Sequence, residues 1–258
     1  MEYHAEFYEN GNKQIEVWYL DGKLHRLNGA AVIQWYENGN KHSEKWYINN
    51  KLHRLDGPAF LGWYNNGNIQ LEKWVKKGKL NRINGPAHVE WYKNGNIQLE
   101  GWFKKGKSHR LDGPAYTGWH ENGNKRIEQW CKNNKYHHEN GPSDIRWYSN
   151  GNKSSDEWLT KNDYYHRIDG PAYEKFYMNG NKKSECWMID GTRHRLDGPA
   201  LTKWYYRGNK KSEHWYLNGE LHRNELPAYI EWYFNGRKKL EKWYKNNNLQ
   251  IILKRKRN

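Results

Sequence analysis

A histidine–arginine pair recurs along this chain at His25-Arg26, His53-Arg54, His109-Arg110, His166-Arg167, His194-Arg195 and His222-Arg223. A carboxylate recurs beside it at Glu16, Glu44, Glu72, Glu100, Glu128, Glu185, Glu213 and Glu241, with Asp156 in the same slot. Imidazole, guanidinium and carboxylate together are the ingredients of acid–base catalysis or ligand binding. Near-identical copies in almost every repeat argue for architecture instead. A bidentate Arg–carboxylate pair would satisfy both groups and tie a linker to a hairpin. The departures are few. Asn81 stands where the histidine belongs, His138 where the arginine belongs, and His137-His138-Glu139 sets two imidazoles beside a carboxylate. A metal site needs ligands converging at defined distances, and neighbours in one turn of a drifting repeat do not supply that. No Gly-rich phosphate loop, Cys-x-x-Cys pair or Ser-His-Asp spacing stands out. The expectation is a protein with no catalytic residue, metal or cofactor.

The frame that carries these residues is a repeat. The glycine of an Asn-Gly-Asn-like turn returns at Gly11, Gly39, Gly67, Gly95, Gly123, Gly151, Gly180, Gly208 and Gly236, every 28 residues with one step of 29. All 16 tryptophans fall into two slots of this repeat, seven residues after the glycine (as Trp46 and Trp74) or four before it (as Trp63). A fixed period of this size marks an array in which each repeat buries its apolar face against its neighbours.

Two aromatic-rich runs flank Asn66-Gly67, and a type I′ turn at that dipeptide predicts a hairpin. Its register places Ala59, Leu61 and Trp63 on one face with Gln70, Glu72 and Trp74. Ala59 then stands opposite Trp74, a small residue facing a large one. A second turn follows at residues 76–79, and then a linker, residues 52–59 in the preceding copy. All seven prolines, Pro58 among them, sit in its Gly-Pro slot, where a strand can start without an N–H. The extra residue of the long step falls near residues 162–165, beside a turn. The fold expected is all-β: an elongated repeat array of about nine consecutive antiparallel hairpins in a twisted open sheet or solenoid. Left open, nine hairpins would span roughly 85 Å. Trp46, Trp63, Trp74, Glu72, His53, Arg54 and Pro58 are expected to be structural positions. Residues 1–248 read as one repeat domain, and residues 249–258 as a capping strand followed by a basic tail.

Composition agrees. Aromatics are 16% of the chain, too many for a disordered protein. The net charge is +15, from 44 basic against 29 acidic residues. That balance favours anionic partners, although lysine and arginine also solvate the outer faces of a Trp-rich sheet. Cys131 and Cys186 lie two repeats apart, roughly 20 Å at strand spacing. A disulfide needs about 7 Å between Cα atoms, so free thiols and a reducing, intracellular compartment (cytoplasm or nucleus) are expected. No apolar run is long enough to span a membrane, and the N-terminus carries no signal-peptide pattern.

The pattern Trp-Tyr-x-Asn-Gly-Asn-Lys-x-x-Glu-x-Trp-Tyr-x-Asn-Gly-x-x-His-Arg-x-Asp-Gly-Pro-Ala resembles variant MORN-type repeats. It is most similar to the Asn/Lys-rich arrays of giant DNA viruses, and it covers nearly the whole chain. The resemblance implies stacked hairpins and a non-enzymatic role as scaffold, tether or dimerising module. The expected function is therefore a scaffold for protein–protein interaction, with the partner and the oligomeric state left open. The alternative is nucleic-acid binding by exposed tyrosines beside lysines, Tyr92-Lys93 and Tyr244-Lys245, and by the tail Lys254, Arg255, Lys256 and Arg257.

Overall fold

The computed structural model describes residues 1–255, and every regular element among them is a β-strand or bridge. The chain divides into two compact units, Met1–Asn134 and Lys135–Asn258. In each, strands pair antiparallel with their neighbours in sequence. The N-terminal unit runs from Glu2–Phe7 against Lys13–Leu20 to Tyr116–Trp119 against Lys125–Gln129. The C-terminal unit runs from Asp144–Trp147 against Lys153–Glu157 to Lys238–Lys245 against Asn248–Lys254. The apolar run at residues 249–253 therefore forms part of a paired strand.

The hairpin register departs from the expected one at the turn. Asn66 keeps a negative φ and Gly67 alone is left-handed, at +88°. Gly67 N–H donates to the Tyr64 carbonyl at 2.9 Å, and Tyr64 N–H to the Asn68 carbonyl at 2.8 Å. This is a type I turn closed by a left-handed glycine, which inserts a bulge. The ladder keeps Phe60 opposite Lys73 and Leu61 opposite Glu72, then slips, so Trp63 faces Ile69 and not Gln70. Beyond Phe60 the ladder ends: Ala59 N–H donates to the Lys73 carbonyl and Trp74 N–H to the Ala87 carbonyl of the next repeat, so the expected rung between Ala59 and Trp74 is not formed.

The type I′ geometry sits in the second turn instead. Lys77 and Gly78 have φ of 51° and 74° and join Val75–Lys76 to Lys79–Leu80. Most of these short hairpins form ladders of their own beside the main sheet. In the long repeat the extra residue opens this turn. Asp163, at φ 64°, donates to the Thr160 carbonyl, and Leu159 bridges Tyr165.

The core explains the Gly-Pro-Ala sequence. Ala31, Ala59, Ala87, Ala115, Ala172, Ala200 and Ala228 are wholly buried. Ala59 accepts from Trp46 N–H at 2.7 Å and donates to the Lys73 carbonyl at 2.8 Å, so its backbone is clamped on both sides and its side chain is buried. Repeats are further stitched by side chains reaching 25–28 residues ahead. Tyr36 donates its hydroxyl to the Trp63 carbonyl at 2.8 Å, and Asn38 and Asn40 both donate to the Asn65 carbonyl. Both cysteines are free thiols, and Cys186 is buried.

Candidate functional site

The recurrent His, Arg and Glu do not converge. Arg54 lies flat on Trp46, 3.9 Å from the ring centroid, and bonds Asp56 at 3.0 Å. The equivalent arginines cover Trp18, Trp74, Trp102, Trp158, Trp187 and Trp215 in the same way. His53 uses Nδ1 to accept Lys77 N–H from the next short hairpin at 3.0 Å. The acid is held by a lysine three residues earlier on its own strand: Lys41 by Glu44, Lys182 by Glu185 at 2.7 Å, Lys238 by Glu241 at 2.6 Å. The expected bidentate Arg–Glu pair is therefore corrected. An aromatic face takes the guanidinium and a nearer ammonium takes the carboxylate. Where isoleucine replaces that lysine, Glu72 instead accepts from Trp74 Nε1, with Arg82 3.7 Å away. Glu100, also lacking it, is pushed above the ordinary carboxyl range by burial, against the pull of Arg110.

The departures from the repeat keep its roles. Asn81 Oδ1 accepts Lys105 N–H at 2.9 Å, as His53 Nδ1 accepts Lys77 N–H. His138 bonds the Pro142 carbonyl at 2.8 Å, as Arg54 bonds that of Pro58. His137 and Glu139 are 3.8 Å apart at the surface. Among the described residues no three His, Cys, Asp or Glu side chains cluster closely enough to hold a metal.

The C-terminal unit contains one buried carboxylate network that sequence reading missed. Asp144 is 1% exposed and stands opposite Glu157 in the ladder. Arg146 donates to both oxygens of Asp144, at 2.8 and 3.2 Å, and Tyr136 donates to it at 3.3 Å. Tyr165 donates to Glu157 at 2.9 Å, and its hydroxyl pKa is raised, first by burial and then by that bond. The donors all end on carboxylates, so the network is a satisfied polar core.

The residues expected to bind nucleic acid divide between engaged and exposed ones. Tyr92 is half-buried and not an exposed stacking ring, because its hydroxyl donates to the Trp119 carbonyl at 2.9 Å. Lys93 is exposed, and its carbonyl accepts from Asn68 at 3.0 Å. Tyr244 is half-buried, while Lys245 and Lys254 are exposed. Arg255 pairs with Glu241 at 3.1 Å. Lys256 and Arg257 lie outside the described residues.

The feature left for recognition is the outer edge of the linkers. With Arg54 turned in onto Trp46, the following residue points out. In the N-terminal unit this makes a row of aliphatics: Leu27, Leu55, Ile83 and Leu111 are 71%, 69%, 85% and 66% exposed. A groove of about 510 Å³ opens between two linkers, lined by Arg82, Ile83, Asn84, Trp102, Lys104, His109, Arg110, Leu111 and Asp112. Asp112, its only carboxylate, is held by Arg110 at 3.0 Å, which lowers its pKa. Trp102 Nε1 is buried there without an acceptor. The groove is thus apolar at its lips and cationic within. The signal in the sequence was an aliphatic residue in a turn, where polar residues ordinarily dominate.

No family model and no curated protein matches the sequence. A solved structure titled "Crystal Structure of TcdB2-TccC3" is similar at 10% identity with a TM-score of 0.15, across 95% of this chain and 18% of that one. A likeness at that level carries no argument about fold or function.

Proposed function

We propose that this protein is a non-enzymatic repeat scaffold that docks a partner protein along the linker ridge of its N-terminal unit. The row of exposed aliphatics at Leu27, Leu55, Ile83 and Leu111 carries this reading. Single exposed leucines are ordinary, whereas an ordered row of them on a soluble surface marks an interaction site. Covering one such side chain is worth about 1.5–3 kcal/mol, and several together offset the entropy lost on association.

The arginines pinned on tryptophan hold the linkers in place, so the ridge is preorganised. Arg82, Lys104 and Arg110 around the groove select a segment whose apolar side chains are flanked by carboxylates. The resemblance to MORN-type arrays, themselves scaffolds and tethers, supports the same reading, and the free thiols suit a reducing, intracellular setting. Among the described residues no helix is long and apolar enough to cross a membrane.

The test is selection from a displayed random-peptide library against the wild-type protein, followed by binding to an Ile83→Ser/Leu111→Ser variant. We expect selected peptides to combine apolar and acidic residues and to lose at least tenfold in affinity for the variant. Peptides that bind both proteins equally would refute the ridge as the docking surface.

A further inference from the structure

Two short hairpins of the N-terminal unit carry an arrangement that the fold does not require. In Val75–Lys76/Lys79–Leu80, Lys76 stands directly opposite Lys79. In Phe103–Lys104/Lys107–Ser108, Lys104 stands directly opposite Lys107. Lys77 and Lys105 occupy the intervening turns. Like charges placed opposite each other across a ladder are destabilising. The same paired positions at Leu20–Lys23, Ile48–Lys51, Ile189–Thr192 and Leu217–Glu220 carry no such repulsion.

All six lysines are exposed, and among the described residues none of them takes part in an ion pair. The two hairpins touch. Gly106 N–H donates to the Leu80 carbonyl at 2.7 Å, and a Cβ on Gly106 would lie 3.4 Å from Lys79 Cβ. The row continues in both directions, since Gly78 N–H donates to the Leu52 carbonyl beside exposed Lys51, and Asn134 N–H to the Ser108 carbonyl beside exposed Lys132.

We propose that this lysine row is a contact surface for the phosphodiester backbone of nucleic acid, bound without regard to base sequence. Successive hairpins set the cations at a pitch of about 10 Å, two strand spacings. A polymer with a phosphate at every nucleotide meets such a row in any register, whereas an acidic protein would have to present carboxylates at matching positions. Lysine is a flexible point charge suited to phosphate contact and poor at bidentate base reading. Release of condensed counterions supplies the drive, and a bound polyanion also relieves the Lys76–Lys79 and Lys104–Lys107 repulsion. The site is distinct from the aliphatic ridge, although Lys104 borders both.

The experiment is fluorescence anisotropy of labelled duplexes of two unrelated sequences, titrated with salt. We expect equal affinity for the two duplexes and a linear fall of log K with log salt. A Lys76→Gln/Lys79→Gln/Lys104→Gln/Lys107→Gln variant should flatten that slope by roughly 0.9 for each phosphate that is no longer neutralised. A Lys161→Gln/Lys183→Gln/Lys203→Gln/Lys211→Gln control loses the same formal charge and should keep the wild-type slope. The Ile83→Ser/Leu111→Ser variant should bind the duplexes normally. Because the tip lysines repel one another, their variant should melt no lower than wild type, so misfolding does not explain its weaker binding. Three results would each overturn the proposal: no duplex binding at low salt, equal weakening in the tip variant and the control, or poly-L-glutamate bound as tightly and with the same lysine dependence. The last would make the occupant an acidic protein.

Discussion

Arg54 lies 3.9 Å from the centre of the Trp46 ring on one side, and a Cβ built on Gly57 would sit 2.7 Å from its guanidinium carbon on the other. The arginine is thus sandwiched between an indole and a glycine, which explains the spacing Arg-x-x-Gly in the linker. An arginine on a tryptophan face contributes about 0.5–2 kcal/mol, more as it is desolvated. The stack also fixes which linker residue faces solvent, so the core contact and the exposed ridge have one cause.

We expect Gly57→Ala to destabilise the protein by about 1–2 kcal/mol, because the added methyl evicts the guanidinium from the indole. Arg54→Ala should cost a similar amount. Combined, the two changes should be clearly less than additive, as read by urea denaturation. Strict additivity would mean that Gly57 does not act through Arg54.

Ala59 tests the packing on the inner side of the same linker. It is wholly buried, with its carbonyl on Trp46 N–H and its N–H on the Lys73 carbonyl. Ala59→Val has no room and should cost about 1–3 kcal/mol, as overpacking does. Ala59→Ser should be milder, because Ser143 fills this slot in one repeat and donates to the Glu157 carbonyl. Thermal melts of the two variants should rank in that order.

The hairpin positions and the site of the extra residue near Asp163 are legible in the sequence, because each depends on residues close along the chain. The turn type at Asn66-Gly67 is not. That dipeptide serves a type I′ turn as well as a type I turn with a left-handed glycine. The choice is made with bonds to the next repeat, as when Asn66 and Asn68 donate to the Lys93 carbonyl. The partner of Arg54 is hidden for a similar reason, since composition offers both an acid and an indole and only geometry shows Lys41 already on Glu44. The ridge escapes because exposure of Leu55 follows from where Arg54 goes.

Asn81 shows that a departure from the repeat need not be a defect. Its Oδ1 accepts Lys105 N–H just as His53 Nδ1 accepts Lys77 N–H. Asn81→His should therefore leave the melting temperature unchanged. Asn81→Ala leaves that N–H to water and should cost about 0.5–1.5 kcal/mol. Hydrogen exchange at Lys105 should quicken in the alanine variant alone.

His214 gives the fold a dependence on pH. Its ring packs edge-on against Tyr229, 4.7 Å between centres, and bonds Ser212 at 3.1 Å. Burial, with Lys203 and Arg193 adding repulsion, lowers its pKa to about 4. An unfolded histidine titrates near 6.5, so between about pH 6.5 and 4 the unfolded chain binds a proton that the folded chain does not. Stability must then fall as pH falls through that window. The full shift corresponds to about 3 kcal/mol, an upper bound because the ring is partly solvated. His88, lowered chiefly by burial and by Lys73, acts in the same direction. Melts of wild type and His214→Leu across this range should show a shallower loss of stability in the variant. Parallel curves would assign the acid sensitivity to other groups.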